Sequence, residues 1–176
     1  ERGSEAADYV PVTETLFLER GDGTYTLAEA VYPKGYQGSM PLVAIGHGFT
    51  GNRNSGGAAE LAARLASRGI ASVRMDFDPY TRPAKDSPQT HAYTLSSMQT
   101  DLLRGIGYMC GHHAIDTQNI GLYARSMGGR VAMTMANEQS GGYDYCALAL
   151  VAPAGTRNAM IDYMGGQAAW EQMDKA

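Results

Sequence analysis

The residues best placed to do chemistry are Ser126 and the small residues around it. The stretch Gly121-Leu122-Tyr123-Ala124-Arg125-Ser126-Met127-Gly128-Gly129 carries an apolar strand pattern into Ser-x-Gly-Gly and then into a helical pattern. A serine on a sharp turn between strand and helix stands clear of the backbone. It can then attack an acyl carbonyl while neighbouring amides face the developing oxyanion. Gly128 and Gly129 let the helix pack close behind the turn, and Ala124 stands where such turns more often have glycine. A second stretch, Gly46-His47-Gly48-Phe49-Thr50-Gly51-Asn52, directly follows the apolar run 42–45. Glycines there allow a tight turn with exposed amides. Alone this loop reads as a tight turn before a helix. Paired with Ser126, in the chain order this chemistry uses, it makes the backbone amides of Phe49 and Met127 the natural oxyanion donors, about 2.7–3.1 Å from the oxyanion.

A serine nucleophile needs a base and an acid, and none of the 50 residues after Ser126 (127–176) is a histidine. Of the 4 histidines, His47 belongs to the glycine turn, where its ring is expected to brace the loop. His112 and His113 close a helical pattern on the connection into the serine's strand, at the opposite sheet edge, and read as a solvated helix end. His91 lies in the polar loop 77–93, at the serine's edge, and is the intrachain candidate for a general base. Asp76 and Asp78 stand at a strand end near the site, and Asp76 is expected to tie down its own loop by accepting amide hydrogen bonds. Phe49, Tyr80 and Tyr93 are the aromatic candidates for contact with substrate. Arg125 could attract an acidic substrate or pair with a nearby carboxylate. Cys110 with His112 and His113 invites a metal reading. Adjacent histidines on a helix point apart, however, and no second Cys/His pair lies nearby, so neither a metal nor a cofactor is expected.

Those residues need elements to position them. Residues 12–20 and 25–32 are strand-like and joined by Gly21-Asp22-Gly23, which predicts an antiparallel hairpin. Residues 42–46, 70–75, 120–123 and 146–151 are short apolar runs of the kind buried on both faces of a sheet. Cys146 opens the last of them and reads as a small buried hydrophobe. Three helical patterns lie between: Leu61 and Leu65; Leu95, Met98, Leu102, Ile106 and Met109; Val131 and Met135. The alternation implies parallel strands with right-handed crossovers and helices on both sheet faces. The loop 77–93, with Pro79, Pro83 and Pro88, then lies beyond the carboxyl end of its strand, the edge where sites form. Beyond Pro153 the pattern loosens into a possible helix over 157–164 and a polar tail containing Trp170.

With these motifs in place the chain resembles the α/β-hydrolases, and among them the bacterial serine esterases of the cinnamoyl or feruloyl type, whose loop reads as His47 to Asn52 does here. The likeness extends over the opening hairpin, the strand ending in Arg74-Met75-Asp76-Phe77, the serine turn, and a later strand ending in Ala152-Pro153-Ala154. It implies an α/β-hydrolase fold, with an N-terminal antiparallel hairpin and then parallel strands with helices on both faces. It also implies Ser126 as nucleophile, with the amides of Phe49 and Met127 as oxyanion hole. Relatives carry the triad acid and histidine on strands that follow a cap inserted after the strand 146–151. Residues 1–154 are therefore expected to be the N-terminal part of the hydrolase core, lacking its last two strands, and 155–176 the start of the cap or a rearranged tail. Two departures stand out. Relatives follow the Asp-Phe pair with Gly-His-Gly and then Ser, where this chain runs from Asp78 to Ser87, so that pocket wall should differ. Arg125 occupies a position where His or Gln is frequent.

Composition narrows the function further. At 176 residues and 44% hydrophobic the chain suits one soluble globular domain. Its 14 basic and 18 acidic residues form no long run, which argues against nucleic acid or an anionic membrane as partner. No apolar stretch approaches a membrane span, and residues 1–10 lack the features of a signal peptide, which favours a soluble, cytoplasmic location over a secreted one. A sheet stopping at 146–151 would leave an apolar edge for a C-terminal fragment or a second copy to cover. The resulting reading is a serine carboxylesterase cleaving a small or aromatic acyl ester through an acyl-enzyme on Ser126, with triad histidine and acid from sequence beyond this chain. An amide or thioester hydrolase of the same fold, and a catalytically silent fragment serving as scaffold or partner-binding half, are the alternatives.

Overall fold

The structure, a computed structural model, describes residues 8–81 and 91–155. Its strands are β1 (Pro11–Glu19), β2 (Tyr25–Pro33), β3 (Met40–Gly46), β4 (Ala71–Met75), β5 (Ile115–Arg125) and β6 (Ala147–Val151). They form one sheet in the order β1-β2-β4-β3-β5-β6. β1 with β2 and β2 with β4 are antiparallel; the other three pairings are parallel. This is the expected α/β arrangement of a hairpin followed by parallel strands. Gly21 (φ 85°) and Gly23 (φ 83°) supply the left-handed backbone that the hairpin turn needs.

The helices are α1 (Ala58–Ser67), α2 (Leu95–His112) and α3 (Met127–Glu138). Strand β3 shows how the sequence directs them. Successive side chains of a strand point to opposite faces. Leu42 and Ala44 join Met98, Leu102, Ile106, Val131 and Met135 in the core beneath α2 and α3. Val43 and Ile45 face the other way, where Ala58, Ala62 and Ala66 of α1 form a second cluster. The four-residue spacing of those alanines leaves a smooth stripe that lets α1 lie close on the sheet. Each fully buried leucine or isoleucine of the larger core contributes roughly 1.5–3 kcal/mol.

Helix α2 is anchored at two points. The Thr94 hydroxyl accepts from the Ser97 N–H at 3.1 Å, while Ser97 Oγ accepts from the Thr94 N–H at 2.8 Å, a capping box that starts the helix. Further along, the fully buried Asp101 binds Arg20 at 2.8 Å, Thr26 at 2.7 Å and Arg104 at 2.6 Å, tying the hairpin to the helix. Burial pushes the Asp101 carboxyl pKa up, against the pull of these partners.

Two expectations about strands are corrected. β6 is not buried on both faces: Leu148 is 42% exposed, Val151 38%, and Cys146 is exposed. Among the described residues β6 pairs with β5 alone, so its apolar residues have a neighbour on one side only. β5 starts earlier than its apolar run, because the polar residues before Ile120 also take strand geometry, with Ile115 opposite Met40. Residues 82–90, the helix expected over 157–164, Trp170 and all of the segment 155–176 except Gly155 lie outside the described residues. No helix among the described residues is long and apolar enough to cross a membrane.

Candidate active site

Strand β5 ends at Arg125 and α3 begins at Met127, so Ser126 alone makes the turn. Its φ of 50° and ψ of −120° lie where L residues rarely sit. Such strain costs on the order of 1–3 kcal/mol and persists only when the surroundings enforce it. Here the Ser126 N–H donates to the Val151 carbonyl at 3.0 Å, and the Ser126 carbonyl accepts from the Ala154 N–H at 2.8 Å. Steric fit completes the enforcement. A Cβ on Gly128 would collide with the His47 carbonyl oxygen, and one on Gly129 would sit 2.9 Å from Pro153 Cβ. The Met127 N–H opens α3, and a first helical amide has no acceptor within its own helix. It stands at the positive end of the helix dipole.

The loop after β3 lies directly against this turn: a Cβ on Gly48 would be 3.0 Å from Ser126 Cβ and 3.5 Å from its Oγ. His47 braces the loop. Its ring is 5% exposed, with Nδ1 2.6 Å from the Gly48 carbonyl and Nε2 3.3 Å from the Phe77 N–H. Because Nε2 accepts from Phe77, hydrogen-bond logic assigns the proton to Nδ1, which donates to Gly48. Burial pushes the imidazole pKa down, opposed by the Gly48 carbonyl and the charges of Asp76 and Asp78. In a trans peptide the C=O and N–H point opposite ways. Fixing the Gly48 carbonyl on His47 therefore turns the Phe49 N–H away from the ring.

The far side of the loop is held by charge. Asp76, 1% exposed, accepts the Arg53 N–H at 2.6 Å through Oδ1, and takes Arg53 Nη1 at 2.7 Å and the Tyr80 hydroxyl at 2.6 Å through Oδ2. Arg53 Nε reaches Glu29 at 3.0 Å, and Arg74 joins Glu29, Asn54 Oδ1 and the Arg53 carbonyl. Asp76 thus ties down the loop after β3, across the sheet edge, more than its own. Sequence reasoning misses this network. The signal present is Arg74, the one charge inside a mostly apolar strand, since a buried charge requires partners; which partners depends on the topology.

The aromatic candidates divide. Phe49 is 36% exposed. Its ring centroid lies 5.6 Å from that of His91 and 6.2 Å from that of Tyr93. The Tyr93 hydroxyl accepts the Thr50 N–H at 2.9 Å. Tyr80 is 3% exposed and directs its hydroxyl to Asp76, so it sits beneath the site.

The histidines divide as well. His91 Nδ1 is 3.6 Å from the buried Asp78 Oδ2, and Asp78 Oδ1 accepts the Ala92 N–H at 3.2 Å. His112 stacks on Tyr108 at 4.1 Å, and His113 Nε2 lies 3.5 Å from Glu14, both at the other end of α2. Among the described residues no histidine nitrogen hydrogen-bonds to Ser126 Oγ. The described residues also hold no group of three or more His, Cys, Asp or Glu suited to a metal ion. The Arg125 guanidinium packs against Gly56, beside a cleft lined by Gly48, Asn52 and Ser55.

Comparison with known proteins places this geometry. A family model described as Serine aminopeptidase, S33, matches residues 39–173. No curated protein matches the sequence. Among solved structures, Est1E from Butyrivibrio proteoclasticus is similar at 23% identity and a TM-score of 0.66, over 88% of this chain and 57% of its own. The acetyl xylan esterase from Paenibacillus sp. R4 is similar at 19% identity and TM-score 0.61, over 94% and 61%. A dienelactone hydrolase-like promiscuous phosphotriesterase from metagenomic libraries follows at 17%, 0.61, 82% and 60%. The chain therefore spans about three fifths of the length of the structures it matches. With the order β1-β2-β4-β3-β5-β6, a serine turn between β5 and α3, and a family model matched over most of its length, the chain belongs to the serine aminopeptidase (S33) family of α/β-hydrolases.

Proposed function

We propose that this chain carries the nucleophile and the oxyanion hole of a serine carboxylesterase. The observation that carries the reading is Ser126, held at a strained φ of 50° between β5 and α3 with the loop after β3 packed against it. In the proposed reaction Ser126 Oγ attacks the ester carbonyl, and a base accepts the serine proton. The N–H groups of Phe49 and Met127 stabilise the oxyanion, the alcohol departs with a proton, and water then releases the acid. Triad histidine and acid are proposed to come from sequence outside these 176 residues, because both ring nitrogens of His47 are engaged in bracing, His91 has its Nδ1 3.6 Å from Asp78 and no hydrogen bond to Ser126 among the described residues, and His112 and His113 sit at the far end of α2. Phe49 and Tyr93 are proposed to border the acyl group, which favours a small or aromatic acyl ester. The apolar edge of β6, with Leu148 and Val151 exposed, is proposed to be covered by further strands of the same fold or by a second copy of the chain.

Turnover of a short-chain aryl ester, together with intact mass after a serine-directed phosphonate, tests the proposal. Both are measured on the protein assembled with the sequence that supplies the histidine: mass addition on wild type and its loss in Ser126→Ala support the reading, and an inert, unlabelled assembled protein sinks it. A second reading, hydrolysis of an amide, is favoured by the aminopeptidase description of the family model. Faster turnover of an aminoacyl anilide than of the aryl ester would select it.

A further inference from the structure

Phe49 has both flanking peptides pinned, and the second pin takes no part in the proposed reaction. The peptide between Gly48 and Phe49 is fixed by its carbonyl, which accepts from His47 Nδ1 at 2.6 Å and from the Gly51 N–H at 3.1 Å. The peptide between Phe49 and Thr50 is fixed by its N–H, which donates to the Tyr93 hydroxyl at 2.9 Å. With both planes set, φ and ψ of Phe49 have no remaining freedom. The clamp works against local preference, for Thr50 takes φ 59°, a left-handed conformation unfavourable for a β-branched residue.

Tyr93 is itself held on both sides. It directly precedes Thr94, whose capping box begins α2, so its backbone is set by that helix. Its ring lies among those of His47, Phe49, Phe77 and His91, with centroids 6.1–6.2 Å apart. A half-buried tyrosine oriented this way delivers its hydroxyl to one place, and that place is the Thr50 amide. We infer that Tyr93 is a positioning residue, whose hydroxyl holds the Thr50 amide and thereby aims the Phe49 N–H at the carbonyl that Ser126 attacks. The inference rests on the hydrolase reading above.

Tyr93→Phe removes the hydroxyl and keeps the ring. The expected result is kcat for the aryl ester about tenfold lower, the worth of one neutral hydrogen bond, with KM within about twofold because an oxyanion contact acts in the transition state alone. Inhibition by an aryl boronate, which forms a tetrahedral adduct on serine, should weaken in the same proportion. Tyr108→Phe, which removes a hydroxyl bonded to Glu14 at the other end of α2, should change none of these values. A raised KM with unchanged kcat would make the Tyr93 hydroxyl itself a ground-state substrate contact and overturn the inference. Amide hydrogen exchange probes the clamp without any turnover: in Tyr93→Phe the Thr50 amide should exchange at least about tenfold faster, with β3 and α2 unchanged. Equal exchange in the two proteins overturns the inference. If the protein assembled with the histidine-bearing sequence is inert and unlabelled by phosphonate while the exchange result holds, the hydrolase reading has failed and the Tyr93 clamp has not.

Discussion

The serine turn and the loop after β3 touch at Gly48, yet they keep their shapes by different means. At Ser126 the enforcing contacts are backbone hydrogen bonds to Val151 and Ala154 and the absence of side chains at Gly128 and Gly129. In the loop they are side chains: the His47 ring, the Tyr93 hydroxyl and the Asp76 carboxylate. Each part suits its proposed task. As the proposed nucleophile, Ser126 must stand alone on a rigid element, and bulk is absent around it. The Phe49 amide, the proposed oxyanion donor, sits on irregular backbone with no ladder to fix it, and side chains from the end of β4 and from just before α2 hold the loop instead.

Substitutions can break this contrast from either side. In the protein assembled with the sequence that supplies the proposed triad histidine, Ser126→Ala should have the largest effect, lowering turnover by a factor on the order of 10⁶. The melting temperature should stay within about 2 °C, since the backbone contacts that hold the turn remain. Asp76→Ala should do the reverse. It removes the buried carboxylate that the Arg53 N–H, Arg53 Nη1 and the Tyr80 hydroxyl all contact, a loss of about 3–5 kcal/mol readable by chemical denaturation. Gly128→Ala comes next, costing about 3 kcal/mol, at the upper end for overpacking, because the added methyl meets backbone that cannot swing aside. Gly48→Ala should cost less, about 1 kcal/mol, since its methyl would sit 3.0 Å from a side-chain atom. If Gly48→Ala proved the costlier of the two, the distinction between a sterically held turn and a side-chain-held loop would be wrong.

The same contrast explains what can be read from the chain. The serine turn is legible because its demands are local: Ser126, Gly128 and Gly129 sit within a few residues, and their small size is the signal. The alternation of strands and helices follows from apolar runs and helical spacing for the same reason. The bracing of the loop is not legible, because Asp76 lies 23 residues from Arg53, and Tyr93 lies 43 from Thr50. Nothing in the spacing announces such pairs. Thus Asp76 reads as holding its own loop, and Tyr80 reads as a substrate contact when its hydroxyl is on Asp76. Cys146 and the run 147–151 mislead for a related reason. Apolar sequence says that a strand can be covered on both faces, while actual cover depends on neighbours elsewhere in the chain.

A pH dependence separates the two parts most cleanly, because it involves the loop and leaves the serine turn untouched. Burial holds the His47 imidazole below its ordinary pKa of 6.5. Below pH 6.5 the unfolded chain therefore takes up a proton at this residue that the folded protein refuses. The unfolded state binds more protons, so stability falls as the pH is lowered from 6.5 towards the depressed folded value and is unaffected by this group above 6.5. The slope contributed by one such group is at most about 1.4 kcal/mol per pH unit. Protonating Nε2 would also remove the acceptor for the Phe77 N–H, so the structural loss and the electrostatic loss coincide at this ring. Denaturant titrations at intervals below pH 6.5 should show wild type weakening more steeply than His47→Gln, which cannot take up the proton. Parallel slopes would show that the ring is not held neutral, and that the bracing of the loop survives a charged histidine.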